Sequence, residues 1–282
     1  MFNPEIHKTK TEIPYFPRTE IKNGRDIEEE KERVRRKMLE KCENDPEAEM
    51  ALAQIDFTEL GNIITNKIYA LCPELDGQKV NILEPDRIKF RKVLGVAYSP
   101  GEMACYETVA DIMVVDFFQI KKHFPNCTSK MLAYLCTHEE VHAISKNVCE
   151  YGTYNNEVRQ SGYRQSQYSG PDFYRYFDEA VNEKMAREIW VAYLEAKNVN
   201  QEGMSLAYIE YVNFLEEMIK EMASRTGEDE NSLWQRIQKE KIVGVQNGET
   251  GLMDELEKVF SKEFVEALRS NKLKQALELL KK

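Results

Sequence analysis

Apolar residues recur at helical spacing over much of the chain, and where that spacing fails the sequence turns β-rich. From Asp26 the run DIEEEKERVRRKMLEKCE is charge-dense, with Ile27, Val34, Met38 and Leu39 as its apolar positions. That pattern predicts a solvated helix with a thin buried stripe. Asn44-Asp45-Pro46 stops one helix and starts another, and Ile64, Ile68 and Leu71 continue the helical period to about Pro73. Between Lys79 and Ile120 the pieces VNILEPDRIKF, VLGVAY and MACY are short and β-prone, with turns at Pro85-Asp86 and Ser99-Pro100-Gly101. A small sheet is expected there, with Ala97–Tyr98 and Met103–Tyr106 as a hairpin.

Thr128 or Ser129 is expected to cap the next helix, whose apolar face runs through Tyr134, Val141, Ile144 and Val148. Residues 150–170 are polar and without lasting period, and predict a long loop or a ragged hairpin. After Pro171 the residues Phe177, Val181, Met185, Ile189, Ala192 and Ala196 form one stripe. After Gly203 the positions Tyr208, Val212, Leu215, Ile219 and Met222 form another. Gly227, Gly244, Gly248 and Gly251 break the remainder into short amphipathic helices such as Leu252–Phe260 and Leu273–Leu280. These shifts divide the chain into a helical region over 1–74, a core over 75–200 and a helical region over 201–282. The class is α+β.

Composition narrows the partners. The 282 residues carry a net charge of −10, a field that repels phosphate backbones and anionic lipid, so nucleic acid is not expected. The most apolar stretch, Ile112–Val115 with Phe117–Phe118, is broken by Asp116 and is far short of the roughly 20 residues of a membrane span. The first twenty residues lack the apolar core of a secretory signal, which points to the cytoplasm or to export by another route. The six cysteines form no C-x-x-C pair and read as free thiols.

One constellation carries chemistry. Residues 138–142 are His-Glu-Glu-Val-His, inside a predicted helix. Positions i and i+4 share a helix face, so His138 and His142 can reach one metal ion, with Glu139 rotated to its side. A catalytic zinc site needs a third protein ligand. The next helix offers Glu179 and Glu183, which share a face roughly opposite the apolar stripe.

From Thr128 to about Ala186 these residues resemble the gluzincin branch of the zincin metallopeptidases. The resemblance implies a zincin-like fold, a small mixed sheet packed on the active-site helix above a mainly helical lower half. It implies one Zn2+ per chain on His138, His142 and Glu179, with Glu139 as the general base that works with a zinc-activated water, and Glu183 orienting a ligand histidine. Position 178 is Asp and position 180 Ala where better-known members have Asn and Gly. The branch with a third histidine is excluded, because positions 145 and 148 are Ser and Val. Deformylase-type enzymes take an upstream cysteine, and the surroundings of Cys105 do not match theirs.

A donor for the developing oxyanion is expected near the cleft. Tyr163, Arg164, Tyr168, Tyr174 and Arg175 lie between the ligand helices, and Tyr208 lies on the following helix. His7 and His123 are expected at the surface. The resemblance also implies that a strand within Tyr106–Ile120 pairs with an extended peptide. Two functions follow: a zinc-dependent peptidase, chiefly an intracellular endopeptidase acting on peptide or protein, or a zincin-like binding or regulatory protein without catalysis. Oligomeric state is left open by the sequence.

Overall fold

The computed structural model describes residues 15–16, 20–22, 27–92, 103–151, 157–167, 171–199, 208–245 and 250–282, and over them the chain is α+β. The order begins β1 (Tyr15–Phe16), β2 (Glu20–Lys22), α1 (Ile27–Leu39), β3 (Cys42–Glu43), α2 (Pro46–Leu52) and α3 (Phe57–Leu71). It continues β4 (Lys79–Val80), β5 (Ile88–Arg91), β6 (Ala104–Glu107), β7 (Ile112–Val115), α4 (Phe117–His123) and α5 (Thr128–Ala143). Then come β8 (Asn147–Tyr151), β9 (Glu157–Ser161), β10 (Arg164–Gln167), β11 (Asp172–Phe173) and α6 (Arg175–Ala196). The chain closes with α7 (Ile209–Thr226), α8 (Glu230–Val243), α9 (Leu252–Val259), α10 (Lys262–Arg269) and α11 (Leu273–Leu280).

Aspartates punctuate the helices. Asp45, Asp56, Asp116 and Asp229 each precede a helix and accept a hydrogen bond from an orphan amide of its first turn. α5 departs from this rule. Its N-cap is Cys127, with no side-chain cap, because the Thr128 hydroxyl donates instead to the Phe124 carbonyl at 2.9 Å. The helix also ends sooner than its apolar stripe suggested, and Val148 belongs to β8.

Four strands in the order β3-β5-β7-β6 make the first sheet, with β5 and β7 parallel and the outer pairs antiparallel. β7 is buried on both faces, which is why its sequence is an unbroken apolar run. Met113 and Val115 join the main core with α5, while Ile112 and Val114 pack with Val34 of α1 and Cys149 of β8. Of the expected hairpin, Ala97–Tyr98 lie outside the described residues, and the described partner of β6 is β7, with Ala104 opposite Val115. The strand expected within Tyr106–Ile120 is thus two: β7 is interior, and β6 is an edge among the described residues.

The second sheet, β11-β10-β9-β8-β2, occupies much of the stretch expected to be a long loop or a ragged hairpin, and β9 with β10 is such a hairpin. Its strands escape a periodicity search because polar residues such as Arg159, Gln160, Arg164 and Gln165 fill them. Main-chain ladders and two ion pairs, Arg159 with Glu107 and Arg164 with Asp172, hold them instead. β2 pairs in parallel with β8, the strand that follows α5.

α6 packs against α3, α5, α7, α8 and α10 and is buried at every position from Phe177 to Glu183. Toward its end Trp190, Tyr193 and Leu194 are buried, and the predicted stripe positions Ala192 and Ala196 are not. One continuous core joins Ala48 of α2 to Leu280 of α11, so all three sequence regions contribute to it. No described helix is long and apolar enough to cross a membrane.

Candidate metal centre

α5 and α6 pack face to face and bring the site together. His138 and His142 stand one turn apart on α5 with ring centroids 5.4 Å apart. From α6, Glu179 Oε2 lies 3.4 Å from His138 Nε2 and 3.5 Å from His142 Nε2. Donors about 2.0–2.1 Å from a tetrahedral zinc ion are about 3.3 Å from one another. The two distances from Glu179 Oε2 match that spacing, and the two imidazole nitrogens and one carboxylate oxygen, all within 4.8 Å of one another, suit such an ion in number and type. All three side chains are largely buried, so their polar atoms face an interior that water alone does not satisfy.

The opposite nitrogens of the rings are also addressed. Glu183, one turn after Glu179, places Oε2 2.9 Å from His138 Nδ1. Its other oxygen accepts from the Tyr134 hydroxyl and, at 3.0 Å, from Arg187 Nε. Asp178 Oδ2 lies 3.9 Å from His142 Nδ1. Asn182 Nδ2 donates to the His138 carbonyl at 2.9 Å and so ties α6 to the ligand turn of α5. Glu179 and Glu183, expected off the core face, are instead inside it, because α6 has neighbours all round.

Electrostatics follow from burial and from these contacts. Burial works against charge on His138, but the Glu179 and Glu183 carboxylates outweigh it and push the imidazole up to about 10. Burial would raise Glu179 and Glu183 as well, yet the histidines hold both below the usual carboxylate range. Without a metal, the charged His138 imidazole thus balances the carboxylates that face it. Glu139 behaves differently: burial raises it, against the pull of His138 and His142 and a smaller one from the backbone of Tyr106 on β6. Glu140 points away from the metal-facing side, where both its oxygens lie within 3.0 Å of the Leu83 amide.

Six further side chains were candidates for the oxyanion. Among the described ones, Tyr208 is the candidate whose ring meets His138, stacking on it at 5.8 Å and 18° between planes. It starts α7 with φ +54° and is 39% exposed, so it is not on the buried face that its helical spacing suggested. Tyr163 is committed to packing, with its hydroxyl on the Ile237 carbonyl at 3.0 Å and its ring edge-on to Phe177. Arg164 grips Asp172 through two hydrogen bonds of 2.9 and 2.7 Å. Tyr174 sits at the start of α6, its amide bonded to the Arg269 carbonyl. Arg175 opens α6 and is half-buried. Tyr168 and His7 lie outside the described residues, and His123 is exposed at the end of α4.

No protein-family model, curated protein or solved structure matches this chain. The site must be read from its own geometry. Its supports include residues that the motif did not announce, namely Tyr134, Arg187 and Asn182. Tyr134 is four residues before His138 and Arg187 four after Glu183, so the i,i+4 spacing carries a signal for both.

Proposed function

We propose that this chain is a zinc-dependent metallopeptidase with a zincin-like arrangement, in which His138, His142 and Glu179 hold one Zn2+. The observation that carries the reading is the convergence of two Nε2 atoms and Glu179 Oε2, with the buried carboxylate of Glu139 beside them. A zinc ion there supplies a Lewis acid that polarises a carbonyl and acidifies water. Glu139 takes the proton of the attacking water and passes it to the leaving amine nitrogen; its raised pKa suits both transfers. With a metal bound, Glu183 would accept the His138 Nδ1–H and so leave Nε2 unprotonated for the ion. Tyr208, stacked on that ring, is the side chain we assign to the oxyanion.

Substrate binding follows from β6. It is one of the two edges of its sheet among the described residues, and the backbone of its Tyr106 acts electrostatically on Glu139. An extended peptide added to that edge would run past the base by main-chain pairing. All six cysteines are free thiols, which suits a reducing compartment and a cytoplasmic substrate.

Zinc content of the purified protein tests the reading, read by elemental mass spectrometry beside a peptide-library digest. The expected result is one zinc per chain, its loss in Glu179→Ala, and cleavage by the zinc-loaded wild type. A folded wild type that takes up no zinc overturns it.

A further inference from the structure

Lys241 sits in the last turn of α8 and is fully buried. A lysine in such a place is costly unless a counter-charge meets it. Its Nζ lies 2.6 Å from Oδ1 of Asp178, which is fully buried too. The same oxygen accepts the Tyr163 amide at 2.9 Å. Space for the pair depends on Gly162, in the turn between β9 and β10. A Cβ there would stand 2.6 Å from Asp178 Oδ1 and 2.8 Å from Lys241 Nζ, and the residue has φ +56°. Backbone hydrogen bonds close the assembly: the Lys146 amide donates to the Lys241 carbonyl, and the Gly162 amide to the Lys146 carbonyl.

The second Asp178 oxygen sets this pair apart from a simple structural bridge. Oδ2 is buried and has no hydrogen-bond partner among the described residues. It lies 3.9 Å from Nδ1 of His142. A short shift of that ring closes the gap to the roughly 2.9 Å of an N–H···O bond. On the other ligand the arrangement is already complete, with Glu183 on His138 Nδ1 and Arg187 behind Glu183. Each imidazole thus has a carboxylate at its back, and each carboxylate a cation.

We propose that Lys241 is a positioning residue of the metal centre: it fixes Asp178 so that Oδ2 receives the His142 Nδ1–H and turns Nε2 toward the ion. The inference rests on the metal-site reading above. It makes α8, far from the motif in sequence, a part of the metal site, and it gives position 178 a role that asparagine could not share with a buried ammonium.

The test compares wild type with Lys241→Met, Asp178→Asn and the double variant. The readouts are Zn2+ affinity by competition with a chromophoric chelator, the visible spectrum of the Co2+ form, and the melting midpoint of the metal-free protein. Zinc affinity is expected to fall about 10–100-fold in all three, the usual effect of losing a partner of a ligand histidine, with a shifted Co2+ spectrum. Lys241→Met leaves a buried carboxylate unpaired and should lower the metal-free midpoint; the double variant should recover it while zinc stays weak. Should Lys241→Met fold poorly, the isosteric Asp178→Asn carries the comparison. Recovered stability together with wild-type zinc affinity in the double variant, or wild-type affinity in Asp178→Asn, overturns the inference and leaves the metallopeptidase reading standing. A wild type that binds no zinc overturns both.

Discussion

Glu183 lies 2.9 Å from Nδ1 of His138, and the oxygen it does not use there is held by Tyr134 and Arg187. The carboxylate therefore cannot swing away from the ring without breaking two other bonds. Glu183→Ala is expected to weaken zinc about 10–100-fold without abolishing its binding, because all three ligand atoms remain. Competition against a chelator of known affinity measures this. Complete loss of zinc would make Glu183 a ligand rather than a support.

Glu139 is buried beside the ligands and does not converge with them. Glu139→Gln should keep one zinc per chain and lower peptide turnover by at least about 100-fold. Turnover and elemental zinc measured on the same preparation decide it, and a variant with retained turnover removes Glu139 from the role of base.

Tyr208→Phe keeps the ring that stacks on His138 and deletes only the hydroxyl. We expect zinc content and folding to be unchanged while kcat drops about 100-fold, the scale of one lost oxyanion donor. A kcat equal to wild type would assign Tyr208 to packing alone.

Glu140 offers a pH dependence. Burial raises its pKa from 4.5 to about 8, against the Leu83 amide and Arg87. A folded-state value above the unfolded one means that the native protein binds the extra proton, so this stability is fully present below about pH 4.5 and is lost as pH rises through about 8. Glu140→Gln removes the dependence while keeping an acceptor for Leu83. Denaturant melts from pH 5 to 9 should show the variant gaining on wild type as pH rises, by about 4 kcal/mol at the upper end. A pH-independent difference would contradict the assignment.

Metal removal should register as stability, since an ion bound only by the native state stabilises it by mass action. At zinc a hundredfold above Kd the gain is about 2.7 kcal/mol, or about 5 °C in Tm. Thermal melts with and without chelator check it, and Glu179→Ala should show no such gap.

The helix carrying His138, Glu139 and His142 was legible because its signal is local: spacing along one helix determines which side chains share a face. Glu179 and Glu183 were legible as a pair for the same reason, but not their burial, which comes from α3, α5, α7 and α8 packing around α6. Tyr163 and Tyr208 show where the sequence runs out. Both are tyrosines near the ligand helices in sequence, yet one bonds to Ile237 in the core and the other stacks on His138. Only packing separates them. The β8 to β11 strands were hidden by polar residues whose pairing lies in the backbone, and the meeting of Asp178 with Lys241 joins α6 to α8 with no spacing rule to announce it.

The parts of the pocket come from α5, α6 and, through Lys241, α8. During synthesis the His-Glu-Glu-Val-His helix leaves the ribosome well before Glu179, and Glu179 well before Lys241. A nascent chain therefore carries the motif without the cage, and its histidines and carboxylates stay dispersed in water until the lower half docks. On the proposed reading, a centre able to cut peptide bonds would therefore be completed only after the chain through α8 has been made and has folded around it.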